Sequence, residues 1–268
     1  MTMIKLVATD IDGTILIPEG QFTSRVKDCV QNLCEAGIKV VLVTGRMNAA
    51  AKLIAKDLRL NTPVVSYQGG LITDGDKTLY ERYLTSVQCE KILSWAKEEK
   101  IHINLYNDDI LYSESVCPEV ERYCNNLHTK FTVKKFKEIT KNKINKLLAI
   151  DYNNPQKIDR LEKELPKLFP DIYIVKSTPY FLEFSNKEAS KSCAVRYLQK
   201  LWNLKQDEIL TIGDQNNDIE LLKAGGIKVA MGNATDALKE IADYVTDSVF
   251  DDGFVSAMEK FCLTCKVL

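Results

Sequence analysis

The feature that most constrains the fold is an alternation of short apolar runs and amphipathic helical segments near both ends of the chain. Ile4–Thr9 is an apolar run with one charge, and Ile38–Val43 is a second run of this kind. Between them, Thr23 is a candidate helix cap and Gly37 a candidate stop. The residues at helical spacing are Val26, Cys29, Val30, Leu33 and Cys34. This order predicts a right-handed strand–helix–strand unit in a parallel sheet.

The same alternation returns in the last third of the chain. Ile209–Gly213 and Ile227–Ala230 read as buried strands, and Ile219–Ala224 between them reads as a helix. A helix over Ala189–Trp202 precedes this unit. Further elements are predicted at about Ala49–Leu58 (helix), Val64–Ser66 (strand), Thr235–Ile241 (helix) and Phe254–Phe261 (helix).

The middle of the chain has a different pattern. Asp74–Asp76 and Asn107–Asp109 are turn sequences between short alternating runs, which predicts two antiparallel hairpins. A helix is centred on Cys89–Ala96. The remaining strands are predicted at Ile144–Tyr152, Ile172–Val175 and Tyr180–Phe184, with a helix after Pro155. This mixture is typical of an α+β domain. We therefore predict an inserted domain over 84–186, within a discontinuous core made of 1–83 and 187–268.

Charge and hydropathy exclude some functions. With 36 basic and 37 acidic residues among 268, the net charge is −1. No overall field attracts nucleic acid or an anionic membrane. Apolar runs such as Val40–Val43 are far shorter than the ~20 residues of a membrane helix. The first run is interrupted by Lys5, unlike a secretory signal. We expect a cytoplasmic protein, either monomer or homodimer, that binds neither nucleic acid nor membrane.

The chain contains 8 cysteines, and without a signal peptide we expect free thiols and no disulfide framework. Cys262 and Cys265 have the C-x-x-C spacing, but a zinc site of this type needs a second pair at metal spacing. The only histidines are His102 and His128. The pattern therefore favours unpaired thiols near the C-terminus.

Three polar clusters follow three of the predicted parallel strands. Asp10 and Asp12 follow the first, and Thr44–Arg46 follow the second. Asp214, with Asn217 and Asp218, follows the strand that ends at Gly213. Ligands bind at the carboxyl edge of an open parallel sheet, so residues some 200 positions apart are expected to meet there.

The chemistry that fits these clusters is phosphoryl transfer. Two unit charges ~4 Å apart at an effective dielectric of ~20 repel by roughly 4 kcal/mol, so grouped carboxylates need a cation among them. Oxygen ligands and a phosphate substrate suit Mg²⁺. The metal would neutralise the carboxylates and stabilise charge in the transition state.

The four motifs, taken in order, resemble those of the haloacid dehalogenase-type phosphatases. They are Asp10–Thr14, Thr44–Arg46, Lys191 in the segment Asn186–Ser192, and Gly213–Asp218. The resemblance extends to the tail segments Val229–Ala234 and Asp251–Gly253. The position of the insert resembles the Cof-type subfamily (class IIB). The resemblance implies a Rossmann-like parallel-sheet core with an inserted α/β cap that closes over the site.

The resemblance also implies roles for individual residues. Asp10 would be the nucleophile that becomes phosphorylated, and Asp12 would protonate the leaving oxygen and then activate water. Lys191 would offset negative charge. The phosphate-binding residues would be Thr44, Gly45, Arg46, Lys191 and Asn217. The metal-binding residues would be Asp10, Asp12 through its backbone carbonyl, Asp214 and, through waters, Asp218. Arg46 could instead pair with a carboxylate, Thr44 could cap a helix, and Asp218 could hold Lys191.

Two segments depart from the usual pattern of the subfamily. Lys187, Glu188 and Ser192 stand where a lysine and glycines are common, and Gln68–Gly70 stands where Asn-Gly is common. These changes are expected to affect specificity more than catalysis, because neither alters an aspartate of the four motifs. Polar and aromatic candidates in the insert are His102, Tyr106, Asn107, Tyr112 and Tyr180, each with an ordinary structural interpretation as well.

The resemblance implies a sugar phosphate or a phosphorylated cofactor, such as pyridoxal phosphate or FMN, as substrate. Two other functions stay open at this point. One is a phosphosugar mutase, which returns the phosphoryl group from the aspartate to the substrate. The other is a phosphate-binding module without turnover, although Asp10, Asp12, Thr44, Lys191 and Asp214 are all present.

Overall fold

The structure is a computed structural model that describes residues 3–17, 20–127, 129–141 and 143–263. The chain divides into two compact units. Unit 1 comprises Met1–Tyr80 and Ser190–Leu268, and unit 2 comprises Glu81–Ala189.

Strands and helices are numbered in chain order over the described residues. The strands are β1 (Leu6–Thr9), β2 (Lys39–Leu42), β3 (Val64–Ser66), β4 (Leu71–Asp74), β5 (Lys77–Glu81), β6 (His102–Asn107), β7 (Ile110–Ser113), β8 (Thr132–Val133), β9 (Ile144–Ile150), β10 (Ile172–Thr178), β11 (Phe181–Asn186), β12 (Ile209–Gly213), β13 (Ile227–Ala230) and β14 (Tyr244–Val245). The helices are α1 (Ser24–Glu35), α2 (Asn48–Asp57), α3 (Ser86–Glu98), α4 (Pro118–Asn126), α5 (Pro155–Leu168), α6 (Lys191–Leu201), α7 (Ile219–Ala224), α8 (Asp236–Ile241) and α9 (Gly253–Met258).

The core of unit 1 is a parallel sheet in the order β14-β13-β12-β1-β2. Strand β1, which pairs with β12 and with β2, is buried along its whole length, as expected for a strand covered on both faces. Val7 packs in a cluster with α1, α2 and α9, whereas its neighbour Leu6 packs in a second cluster with α6 and α7. The predicted α/β fold with a parallel-sheet core is therefore confirmed.

The register of this sheet places three strand ends together. Thr9 of β1 is aligned with Leu42 of β2 on one side and with Ile212 of β12 on the other. The segments that leave these strands begin at Asp10, Val43 and Asp214. The three polar clusters therefore lie at one edge of the sheet, as the sequence predicts.

A small antiparallel sheet in the order β3-β4-β5 follows the parallel strands. The predicted turn at Asp74–Asp76 joins its last two strands, and Gly75 has the positive φ of 56° that suits glycine in such a turn. The predicted hairpin is therefore present.

Unit 2 is built on a six-stranded sheet in the order β10-β11-β9-β6-β7-β8. Its pairs are antiparallel except for β7 with β8. Helices α3 and α5 supply Cys89, Ile92, Ile158 and Leu161 to its apolar cluster. The predicted α+β character is thus observed, while the domain bounds of 84 and 186 stay a prediction.

Several element bounds differ from the sequence predictions. Helix α6 begins at Lys191 and not at Ala189, because Ser190 is its N-cap and its Oγ accepts a hydrogen bond from the Cys193 amide. Thr44 caps no helix, since α2 begins at Asn48 with Met47 as its N-cap. Three short elements were not predicted, namely α4, β8 and β14.

The described cysteines are all free thiols, which agrees with the sequence prediction. They include Cys262, whereas Cys265 and His128 lie outside the described residues. Among the described helices, none has the length and apolar character needed to cross a membrane.

Candidate active site

Asp10 is the first residue after β1, and its side chain lies inside the protein. Only 6% of the residue is exposed. Its amide donates to the carbonyl of Ile212 (3.0 Å), which continues the pairing of β1 with β12 for one more residue. The chain then turns at Gly13, whose φ is +76°. Asp10 is therefore fixed at the sheet edge by the paired strands β1 and β12.

Lys191 lies in the first turn of α6 and points into this edge. Its Nζ is 2.5 Å from Asp10 Oδ1 and 2.5 Å from Asp218 Oδ1. The lysine side chain is completely buried. An ordinary lysine at the start of a helix would be exposed to solvent, so the ammonium group is held here by the two carboxylates.

The loop after β12 brings Asp214 and Asp218 to the same place. Asp218 Oδ2 accepts hydrogen bonds from the backbone amides of Asp214 (3.0 Å) and Gln215 (3.1 Å). The carboxylate of Asp214 in turn accepts from Thr14 Oγ1 (3.3 Å) and from Gln215 Nε2 (3.1 Å). Asn233 Nδ2 also donates to the carbonyl of Gly13 (2.9 Å). The carboxylates are therefore held by a network from three loops.

Two glycines allow the close approach of these loops. A Cβ on Gly13 would clash with the Asp214 carboxylate, and a Cβ on Gly213 would lie 2.5 Å from Asp218 Cγ. Any larger residue would push the carboxylates away from Asp10. The glycines of the first and fourth motifs therefore have a steric role at this site.

Asp10, Asp214 and Asp218 have the arrangement of a metal site. Each offers a carboxylate oxygen, and the three oxygens lie within 4.8 Å of one another. Lys191 is the one cation that contacts two of them among the described ion pairs. A donor set made only of oxygen suits Mg²⁺, so these residues fit the metal that the motifs imply. The carboxylate of Asp12 is not part of this group.

The electrostatics of the site reflect its burial. Burial and the neighbouring Asp218 raise the pKa of Asp214 to about 7, and the same two causes raise the pKa of Asp10 well above its usual range. Burial alone would lower the pKa of Lys191, but the contacts with Asp10 and Asp218 outweigh burial and raise it. In the described ion pairs, the three carboxylates have a single ammonium group as partner, and a divalent cation would balance the remaining negative charge.

Asp12 and Arg46 form a separate pair beside the cluster. Arg46 Nε donates to Asp12 Oδ2 (2.8 Å), and Arg46 Nη2 donates to Asp12 Oδ1 (2.5 Å). The Asp12 side chain is 56% exposed, in contrast to Asp10. Of the two roles open to Arg46 from the sequence, the structure contains the carboxylate pair. Thr44 Oγ1 accepts from the Arg46 amide (3.2 Å), which links the second motif to this pair.

Gln68 is a residue that sequence reasoning did not include among the site residues. It is buried, is the second residue after β3 and has a left-handed backbone (φ 58°). Its Oε1 accepts a hydrogen bond from Asn217 Nδ2 (3.3 Å). Asn217 Oδ1 is buried and has no hydrogen-bond partner among the described residues. A buried polar atom without a partner at such a place points to a bound ligand. The sequence signal for Gln68 was the unusual Gln-Gly-Gly stretch. Gly69 has φ +99°, and a Cβ at this position would clash with Ser190, so the stretch needs glycine directly after Gln68.

The structure therefore brings Asp10, Lys191, Asp214 and Asp218 into direct contact or near contact. Asp12 pairs with Arg46, while Thr44 and Gly45 follow β2 at the same edge. Asn217 joins the edge through Gln68.

Comparison with known proteins identifies the family of this chain. The model of the haloacid dehalogenase-like hydrolase family matches residues 7–258. This chain belongs to the haloacid dehalogenase-like hydrolases. The resemblance inferred from the four motifs is thereby confirmed.

Several known proteins match nearly the whole chain. It is 32% identical to a Streptococcus pyogenes serotype M6 protein named "Putative phosphatase", over 97% of this chain and 99% of that protein. It is 27% identical to a Bacillus subtilis 5-amino-6-(5-phospho-D-ribitylamino)uracil phosphatase, over 97% and 96%. A crystal structure of a haloacid dehalogenase-like hydrolase from Bacteroides thetaiotaomicron has a TM-score of 0.83 and 28% identity, covering 96% of this chain and 99% of that one. These names agree with the predicted enzyme class, a phosphoric monoester hydrolase.

Proposed function

We propose that this protein is a Mg²⁺-dependent phosphatase that hydrolyses a small phosphorylated metabolite through an aspartyl-phosphate on Asp10. The observation that carries the proposal is the contact of Asp10 with the fully buried Lys191, beside Asp214 and Asp218 at the carboxyl edge of the sheet. Carboxylate nucleophiles divide one difficult displacement into two easier steps.

In the first step, an oxygen of Asp10 attacks phosphorus and the bond from phosphorus to the leaving oxygen breaks. Lys191 contacts Oδ1, so Oδ2 is the oxygen that we assign to the attack. Asp12 gives its proton to the leaving oxygen. In the second step, Asp12 takes a proton from water, the water oxygen bonds to phosphorus, and inorganic phosphate leaves Asp10.

Arg46 controls the access of Asp12 to the substrate. Its guanidinium occupies both oxygens of Asp12, so Asp12 must leave this pair before it can reach the substrate. A bound phosphate dianion competes for the same guanidinium, since arginine binds phosphate and carboxylate through the same paired donors. We propose that substrate binding moves Arg46 from Asp12 to the phosphoryl group.

The metal would be held by the carboxylates of Asp10 and Asp214. The backbone carbonyl of Asp12 completes the protein ligands that we propose. When bound, Mg²⁺ would neutralise the carboxylates and stabilise charge on the phosphoryl oxygens. Asp218 is a positioning residue in this scheme, because its two oxygens already bind Lys191 and two backbone amides.

For the substrate, we propose a sugar phosphate or a phosphorylated cofactor. The Bacillus subtilis relative is named for a substrate with a phosphorylated ribityl chain, which is a phosphate ester of a small polyol. We further propose that unit 2 is the cap domain that selects the leaving group, and that the enzyme acts in the cytoplasm.

The test is phosphate release by the full-length protein from a panel of sugar phosphates, polyol phosphates, pyridoxal phosphate and FMN, with Mg²⁺ or with chelator. Asp10→Asn should abolish release, and the matched control Asp28→Asn, an exposed aspartate of α1, should not. Turnover by Asp10→Asn at the wild-type rate would contradict the mechanism. Transfer of phosphate within a sugar without release would favour the mutase.

A further inference from the structure

Unit 2 contains a second group of metal-ligating side chains, far in sequence from the motif residues. His102 is the first residue of β6, Cys117 is the N-cap of α4, and Glu119 lies in the first turn of α4. His102 Nδ1 is 3.3 Å from Cys117 Sγ. One ligand atom of each of the three residues lies within 4.8 Å of the others. The group therefore combines nitrogen, sulfur and oxygen donors at one point.

The hydrogen bond of His102 Nε2 determines the protonation of the other ring nitrogen, Nδ1. His102 Nε2 is 2.7 Å from Asn104 Oδ1, and an amide oxygen can only accept, so Nε2 carries the proton. Nδ1 is then the nitrogen with a free lone pair, and it faces Cys117. A hydrogen bond from the outer ring nitrogen to an oxygen is the usual arrangement behind a metal-bound histidine.

The distances suit a tetrahedral ion. With bonds of about 2.3 Å to sulfur and about 2.0–2.1 Å to nitrogen, a tetrahedral zinc site separates these two atoms by about 3.5 Å. The observed 3.3 Å is within a few tenths of an ångström of this value. All three side chains are half-buried, so an ion can enter from solvent while the ligands stay ordered.

We propose that His102, Cys117 and Glu119 form a Zn²⁺ site in unit 2, with a water molecule as the fourth ligand. On binding, the Cys117 thiol releases its proton to solvent and its sulfur bonds to the ion, with no change in oxidation state. The site ties the start of β6 to the start of α4. Its mixed donors also distinguish it from the oxygen-only cluster around Asp10, which suits a harder cation.

Sequence spacing alone does not indicate this site. The cysteines at a recognisable metal spacing are Cys262 and Cys265, whereas His102 and Cys117 are 15 positions apart and the β6–β7 hairpin lies between them. The hairpin returns the chain so that α4 begins beside the first residue of β6. The ligands are therefore brought together by the fold of unit 2.

The experiment is a titration of the reduced, chelator-treated full-length protein with Co²⁺, followed by absorption spectroscopy. Cobalt bound to a thiolate gives a charge-transfer band, whereas cobalt bound only to carboxylates does not. With Mg²⁺ in excess, so that the aspartate cluster is occupied, we expect the band to saturate at one equivalent of Co²⁺ and to disappear when one equivalent of Zn²⁺ is added. We also expect Zn²⁺ to raise the melting temperature of the wild type.

The variants separate this site from other thiols and from the aspartate cluster. Cys117→Ser should lose the band and still fold, because serine is a favoured N-cap. His102→Gln should weaken Co²⁺ binding by at least tenfold. Cys34→Ser, which removes an exposed thiol, and Asp214→Asn should both keep the band. A wild type without the band, or a band that persists in Cys117→Ser, would overturn the proposal.

Discussion

Lys191 Nζ lies 2.5 Å from Asp218 Oδ1, and neither side chain is exposed to solvent. The other oxygen of Asp218 is held by two backbone amides of its own loop. The ammonium group therefore has a fixed position, set by a residue 27 positions away, from which it contacts Asp10. Pairing of this kind stabilises a buried charge only while both partners are present.

Replacement of Lys191 by methionine should destabilise the protein and abolish phosphate release. The change removes the cation but keeps the bulk, so Asp10 and Asp218 remain as buried carboxylates without their partner, at an expected cost of about 3–5 kcal/mol in unfolding free energy. Urea denaturation measures this cost. Lys200→Met is the matched control, because Lys200 is exposed at the other end of α6. Equal stability of the two variants would contradict the assigned role.

The raised pKa of Asp214 predicts a pH dependence of stability for the metal-free protein. The pKa of Asp214 is about 7 in the folded protein, whereas the usual value of 3.8 applies to the unfolded chain. At a pH between these two values, the folded state therefore binds more protons than the unfolded state. Stability must then fall as the pH rises from about 4 to 7, and the cost is complete above pH 7. Asp214→Asn removes this cost.

Thermal unfolding with chelator should therefore show Asp214→Asn gaining on the wild type as the pH is raised from 5 to 8. Mg²⁺ should raise the melting temperature of the wild type at pH 8 and leave that of Asp214→Asn nearly unchanged. Asp28→Asn, at an exposed position, should follow the wild type throughout. A difference between wild type and Asp214→Asn that does not vary with pH would refute the prediction.

Most of unit 1 could be predicted from the sequence because its parallel strands are mostly apolar, and two of them, β1 and β12, are followed directly by aspartates. The bounds of β12, α7 and β13 agree with the predicted ones, and β1 differs by two residues at its start. The ends of these strands then placed Asp10 and Asp214 at one edge without further information. The placement of these two residues follows from the topology of a parallel sheet and not from local secondary-structure propensity.

What could not be predicted depends on contacts between distant residues. The burial of Lys191 follows from its contact with Asp10, which is 181 positions away, and the Gln68–Asn217 bond joins residues 149 positions apart. Helix α4 was missed for a different reason. It has Pro118 at its start and acidic residues in its first turn, but only three buried positions to give a helical period.

Arg46→Lys should reduce kcat/KM for the best substrate by roughly 10- to 100-fold, since lysine keeps the charge but cannot make the paired contact with Asp12 or with phosphate. If Arg46 moves to the phosphoryl group as proposed, KM should rise as well as kcat fall. Steady-state kinetics separate the two parameters. Arg25→Lys, at a largely exposed arginine of α1, is the control. Unchanged kinetics in Arg46→Lys would remove Arg46 from the substrate.

Asn217→Leu should weaken substrate binding at little cost in stability. Within the part of the chain that the structure describes, the buried Asn217 Oδ1 has no hydrogen-bond partner. Leucine, of similar volume, removes that unsatisfied oxygen together with the amide that donates to Gln68. Removal of the unsatisfied oxygen should stabilise the protein, and loss of the hydrogen bond to Gln68 should destabilise it. The two effects should offset each other to within about 1 kcal/mol of unfolding free energy. The KM should nevertheless rise severalfold, because we assign Asn217 to the phosphate. Asn216→Leu is a neighbouring control for the backbone, and a KM that stays unchanged in Asn217→Leu would show that the buried oxygen has another purpose.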